Sequence, residues 1–143
     1  MKYKLLNDDK QKTFAIVMES GEEVTQQLMA FVKEKQLSAS QFTAIGAFSE
    51  TTVGFFDFSI KDYKKTHFNE QMEVLTLNGD VTVFNDEYKI HAHIVLGKED
   101  ATAYGGHLIK GIVHPTLEII LTESPGWLKR EMNKELGIPL IKI

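Results

Sequence analysis

Cysteine is absent from this chain of 143 residues. That removes disulfides and thiolate metal sites, so any metal must be held by histidine, aspartate or glutamate. Arginine is nearly absent too. Arg130 is the only one among 16 basic side chains, against 20 acidic ones, and the formal net charge is −4. Duplex binding rests on a clustered basic surface, and guanine readout leans on arginine, so autonomous DNA binding is disfavoured. The cations fall in small groups, Lys61, Lys64 and Lys65, then Lys129, Arg130 and Lys134, which read as solvated faces. No run approaches the ~20 apolar residues of a membrane span, and the opening MKYKLLNDDKQK lacks the apolar segment of a secretion signal. The expectation is a soluble, cytoplasmic protein. Low-complexity tracts, linkers and repeats are lacking, so residues 1–143 read as a single domain. No phosphate-cradling glycine loop, nucleophile elbow or dinucleotide fingerprint occurs.

The remaining composition, 43% apolar and 25% charged, is that of an ordinary globular domain long enough to bury a core. Residues 2–6 and 13–18 read as strands. The sequence predicts a principal helix over residues 22–36, opened by an S-x-x-E box of Ser20 and Glu23 and closed by Lys33 and Lys35. Val24, Leu28, Phe31 and Val32 fall at helical spacing and should face the core. Strands follow at 42–48, 52–58 (with Gly54 as a close-packing point), 61–68 as a polar edge, 88–96, 103–109 and 113–122. In residues 72–84, Asn78-Gly79-Asp80 signals either a hairpin or one long strand bent at Gly79. A Ser-Pro-Gly turn leads into an expected short C-terminal helix at 127–136. This order implies an α+β domain with a strongly curved, mostly antiparallel sheet.

The stretch KIHAHIVLGKEDATAYGGH (residues 89–107) holds three of the five histidines. Side chains alternate along a strand, so His91 and His93 share a face, and His107 arrives on the next element. Three imidazoles form three corners of a tetrahedral site with an open fourth position, which suits a catalytic or ligand-binding metal. Gly105 and Gly106 before His107 allow close approach of backbone or ligand, and are candidate pocket residues. A partly exposed polar strand face remains the alternative. His114 precedes Pro115 and reads as a loop histidine. His67 lies on the polar edge and receives no role. Tyr104 and Trp127 are candidate pocket linings or packing residues.

Taken together, EVLTLNGDV (73–81), HAHIVLG (91–97), AYGGHLIKGIV (103–113) and TLEIILTE (116–123) resemble the plants-and-prokaryotes conserved (PPC) domain over nearly the whole chain. The resemblance implies a compact α+β domain assembling as a homotrimer, and the bent-strand reading of 72–84. It also implies, as in some prokaryotic members, a divalent metal, with zinc expected, on His91, His93 and His107. Plant members are described as DNA-binding because an AT-hook precedes the domain. The Arg-Gly-Arg-Pro motif is not in these residues, so DNA would attach as a partner by family label only. More distantly, the H-x-H…H order is similar to acetolactate decarboxylase, whose zinc sits on three histidines and polarises a keto acid. Spacing and surroundings differ, which supports only a scaffold able to hold a metal over a small pocket.

Glu118 lies in the apolar TLEIIL strand, where a buried carboxylate needs a partner. It is read as a tentative catalytic base or a support for a ligating histidine, or else as a carboxylate satisfied at a subunit interface. Phe55, Phe56, Phe58, Ile119 and Leu121 are expected to supply part of a trimer contact. The leading expectation is a trimeric binding or regulatory module with a three-histidine metal site and a small-molecule or protein partner. The alternative is a zinc-dependent lyase or hydrolase acting on a small oxygen-rich substrate.

Overall fold

The computed structural model describes the chain apart from Asp9, Trp127 and the side chains of residues 3–8. In chain order the elements are β1 (Lys2–Asp8), β2 (Lys12–Glu19), α1 (Val24–Lys35), β3 (Ser40–Asp57), β4 (Asp62–Phe68), β5 (Met72–Phe84), β6 (Glu87–Gly97), β7 (Ala103–Glu123), β8 (Lys129–Asn133) and β9 (Ile138–Lys142). They form one sheet in the order β1-β2-β7-β3-β5-β8-β9, with β4 added to β3. Strand β6 pairs with both β5 and β7, while β3 also joins those two, so β3, β5, β6 and β7 make a closed ring of pairings. All described pairings are antiparallel except a single parallel bridge, Val83 to Lys129. This is the curved α+β sheet that the strand pattern implied.

Two strands are longer than the sequence suggests. The segments 42–48 and 52–58 are one strand, β3, and 103–109 and 113–122 are one strand, β7. Their mutual ladder survives the polar interruptions through register shifts at Gly46/Phe48, Phe48/Glu50 and Thr52/Val53; such shifts bend a strand without ending it. Residues 72–84 are likewise one strand rather than a hairpin. Gly79 sits there because a Cβ would lie 2.3 Å from Phe42 Cζ and 2.6 Å from the His91 carbonyl. It makes room for a core aromatic.

The helix buries Val24, Leu28, Phe31 and Val32, as their spacing predicts, against Phe14, Ile16, Leu117, Ile119 and Leu121 in one apolar core. Each such side chain contributes on the order of 1.5–3 kcal/mol. Phe31 meets Phe14 edge to face at 5.2 Å. The helix start differs from the expected box. Glu23 is the cap, its carboxylate accepting from the Thr25 and Gln26 amides at 3.2 and 2.8 Å and from the Gly111 amide of β7 at 3.1 Å. Ser20 instead donates to the Pro115 carbonyl and lies 3.1 Å from His114 Nδ1. The chain turns at Gly21, φ 87°, which places Ser20 outside the helix.

The expected C-terminal helix is a correction. Its described part is the β8–β9 hairpin, turned by Asn133, whose side chain accepts from the Leu136 amide at 2.9 Å, and by Gly137 at φ 75°. Trp127, a candidate pocket residue, lies outside the described residues. The physical reason for the hairpin is Arg130, which is 8% exposed and anchored beneath β5. It is therefore no part of a solvated cationic face. Ile119 and Leu121 are also core residues, at 1% and 0% exposure, because the odd positions of β7 face inward there. Among the described residues, no helix is long and apolar enough to cross a membrane.

Candidate metal centre

The β6–β7 turn fixes the site. Asp100 accepts from the Thr102 amide and hydroxyl at 2.9 and 2.6 Å, and the ladder that follows sets His93 directly opposite His107. His91 stands two residues from His93 on the same face. Their rings cluster, with centroids 4.9 Å apart for His91 and His93, 5.3 Å for His91 and His107, and 5.6 Å for His93 and His107. One nitrogen from each ring lies within 4.8 Å of the others. Tetrahedral zinc holds its ligand nitrogens about 3.3 Å apart at its usual 2.0–2.1 Å bonds.

Gly105 and Gly106 serve the backbone. A Cβ on Gly105 would lie 2.7 Å from the Ile94 carbonyl, and one on Gly106 2.8 Å from the Gly54 carbonyl. Neither is among the residues lining the two cavities beside the histidines. They let β7 lie close to its neighbours, and so place His107.

Electrostatics prepare the rings to act as bases. Burial, then the proximity of His91, His93 and Lys89, lowers the His107 pKa to about 4. Burial, then His91, also lowers that of His93. Both rings are neutral at pH 7, the form that ligates metal. His107 Nδ1 is buried with no hydrogen-bond partner. Such an orphan costs about 1–3 kcal/mol, a cost that coordination through that nitrogen relieves. An all-imidazole, uncharged donor set with a buried orphan nitrogen fits a divalent metal of the zinc type.

Two residues behind His91 complete the arrangement. Asp80 sits opposite His91 on the β5–β6 ladder, its Oδ2 3.7 Å from His91 Nδ1. Arg130 Nη2 donates to Asp80 Oδ1 at 2.7 Å and lies 3.4 Å from His91 Nδ1. The guanidinium is held in turn by Thr82 Oγ1 at 2.9 Å and the Pro139 carbonyl at 3.0 Å. Burial pushes the Asp80 carboxyl upward, but His91 and Arg130 outweigh it and its pKa is lowered. An anionic carboxylate facing one nitrogen of His91 leaves the other for a metal, the usual support for a ligating histidine. Tyr63 stacks on the other side of the cluster, its ring 4.5 Å from that of His107 and 23° from parallel. Gly54 makes room for it, since a Cβ there would lie 2.7 Å from Tyr63 Cδ1.

The sequence reading missed Asp80, Arg130 and Tyr63. Asp80 looked like a turn residue, Arg130 like a surface cation and Tyr63 like part of a polar edge. The sole arginine was the available signal. The remaining candidates lie elsewhere. Glu118 is exposed and lines a separate depression with Ile45 and Ile120. The structure does not bring it to the histidines. His67 lies 3.0 Å from Thr52 Oγ1 on the outer surface. Tyr104 packs on Phe68 at 5.3 Å beneath Lys98.

Solved structures of similar shape span most of the chain. A plant- and prokaryote-conserved (PPC) protein from Pyrococcus horikoshii is 28% identical, with a TM-score of 0.87 over 99% of this chain and 95% of that one. A metal-containing protein from Archaeoglobus fulgidus is 27% identical, with a TM-score of 0.84 over 99% and 97%. A presumed DNA-binding protein from Bacteroides thetaiotaomicron is 29% identical, with a TM-score of 0.87 over 98% and 96%. A Staphylococcus aureus protein similar to alpha-acetolactate decarboxylase shares the fold alone, at 14% identity and a TM-score of 0.55 over 75% of this chain and 50% of that one. No protein of curated function matches the sequence. Residues 6–125 match the Plants and Prokaryotes Conserved (PCC) domain, and the chain belongs to that family.

Proposed function

We propose that this protein is a homotrimeric, cytoplasmic binding module that carries one divalent metal, zinc, per chain on His91, His93 and His107. The observation that carries this reading is the convergence of three imidazole nitrogens within 4.8 Å on two paired strands, with Asp80 and Arg130 behind the first ring. Three protein ligands leave a fourth position for water or a ligand. The relative named as metal-containing supports the same view.

The trimer draws support from the outer sheet face. Val17, Ile45 and Ile120 are 39%, 61% and 47% exposed and lie on the adjoining strands β2, β3 and β7. Glu118 stands among them, opposite both Val17 and Ile45. Its place is a subunit contact rather than the chemistry. DNA is not the partner of this module acting alone. Its one arginine is buried against Asp80, and the chain carries a net charge of −4.

A second reading, a zinc-dependent lyase or hydrolase, is favoured by one observation: His107 lines two adjoining cavities. Bound zinc would supply a Lewis acid for a carbonyl, or an acidified water. Elemental analysis of untagged protein decides the metal. About one zinc per chain is expected, lost in His107→Ala with the fold retained. A folded protein that cannot be loaded with zinc ends the reading.

A further inference from the structure

Strands β6 and β7 are paired from Gly97 and Ala103 as far as His93 and His107, and there the ladder stops. Beyond that pair the strands part. Ile90 and Ala92 on β6, Leu108 and Ile109 on β7, and Leu28 and Met29 on α1 then line a cavity of about 620 Å³. A second cavity of about 280 Å³ reaches His91, Lys61 and Arg130, and is lined as well by Phe56, Ile138, Pro139 and Leu140. Asp62, Tyr63, Lys89 and His107 line both. We read the two as lobes of one chamber that meet at the shared residues, His107 among them, with the α1, β6 and β7 side chains on the first and Lys61, His91 and Arg130 on the second. The apolar lobe has the size of a small-molecule site.

Charge identifies what the second cavity accepts. Imidazole ligands bring no negative charge to offset that of a divalent ion. Lys61 and Lys89 line the second cavity against the single carboxylate of Asp62, while Asp80 cancels Arg130; Lys65 lines the first cavity. The metal side, with Lys61 and Lys89, therefore favours an anion, and the apolar side chains of α1, β6 and β7 favour hydrocarbon.

We propose that the chamber binds a small monocarboxylate with an aliphatic or aromatic tail. The carboxylate lies on the metal side beside Lys89, and the tail lies between α1, β6 and β7. This rests on the metal reading for its anionic end only. The apolar lobe stands independently of the ion.

The test is a calorimetric titration of the zinc-loaded full chain with acetate, butyrate, hexanoate and octanoate. Affinity should climb roughly threefold to fourfold per added methylene, as each one leaves water, until the lobe is filled. Met29→Trp fills the lobe from the helix side and should abolish the increments with zinc content unchanged. Ile90→Phe is the second filler if the first does not fold. Lys89→Met should weaken every member by a similar factor and leave the increments intact. Removing zinc should weaken every member at least tenfold, with the increments again preserved. Affinity independent of chain length in the loaded protein would overturn the proposal, as would increments untouched by both fillers. Increments that vanish on filling, in a protein that holds no zinc, would uphold the chamber and sink only the metal reading.

Discussion

Asp80 and His91 face each other across the β5–β6 ladder, and the Arg130 guanidinium contacts both, 2.7 Å from the carboxylate and 3.4 Å from the imidazole. The contact ties the histidine cluster to the β8–β9 hairpin, because Arg130 also holds the Pro139 carbonyl. A ring of that cluster is thereby contacted by a residue 39 positions away in the chain.

Asp80→Asn keeps the shape and removes the charge. Zinc affinity, measured by competition with a chromogenic chelator, should fall by about 10–100-fold, the usual cost of losing a carboxylate behind a ligating histidine. Arg130→Met should cost stability as well as affinity, because it leaves Asp80 half-buried without its cation. Unchanged affinity in a folded Asp80→Asn would remove the support role.

The pH dependence of the metal-free protein follows from the lowered histidines. In the unfolded chain a histidine takes up its proton near pH 6.5, while in the fold His107 does so only near 4. Between those values the unfolded state binds more protons, so stability rises with pH there. Thermal midpoints of metal-free protein should therefore decline as pH falls from about 6.5 toward 4. His107→Gln should flatten that part of the curve, and an identical slope in the variant would assign the effect elsewhere.

Gly79→Ala tests the bent strand. The new methyl meets Phe42 and the His91 carbonyl, and overpacking of this kind costs about 1–3 kcal/mol, read from urea denaturation. Paired with Phe42→Leu, which relieves the side-chain clash, the loss should be partly recovered. A neutral Gly79→Ala would show that the strand tolerates a side chain there.

Assembly is checked by light scattering. The mass should be near three times the 16.2 kDa chain, and Ile45→Asp or Ile120→Asp, on the exposed face, should shift it toward the monomer. A monomeric wild type would withdraw the trimer.

Duplex DNA should be bound weakly and without sequence preference at moderate salt, since few cations cluster to displace counterions. Tight, selective shifts in a gel titration would refute this and point to a basic groove built by assembly.

What the sequence determined by itself is local. The helix face of Val24, Leu28, Phe31 and Val32 was legible because a period of 3.6 survives any packing arrangement. The shared face of His91 and His93 was legible because strand alternation is equally local. The tertiary structure decided everything that depends on which strand lies beside which. Ladder register brought Asp80 to His91 and His93 to His107, and close backbone approach at Gly54 let Tyr63 reach the same cluster. Residues 129–133, helical by pattern, became a strand because Arg130 finds its partners on β5 and in the hairpin itself. Glu118, nominated by its strand, was left on the outer face because β7 aims odd residues inward and even ones outward along that stretch. A carboxylate acquires a role only when a register, which no single segment encodes, supplies its neighbour.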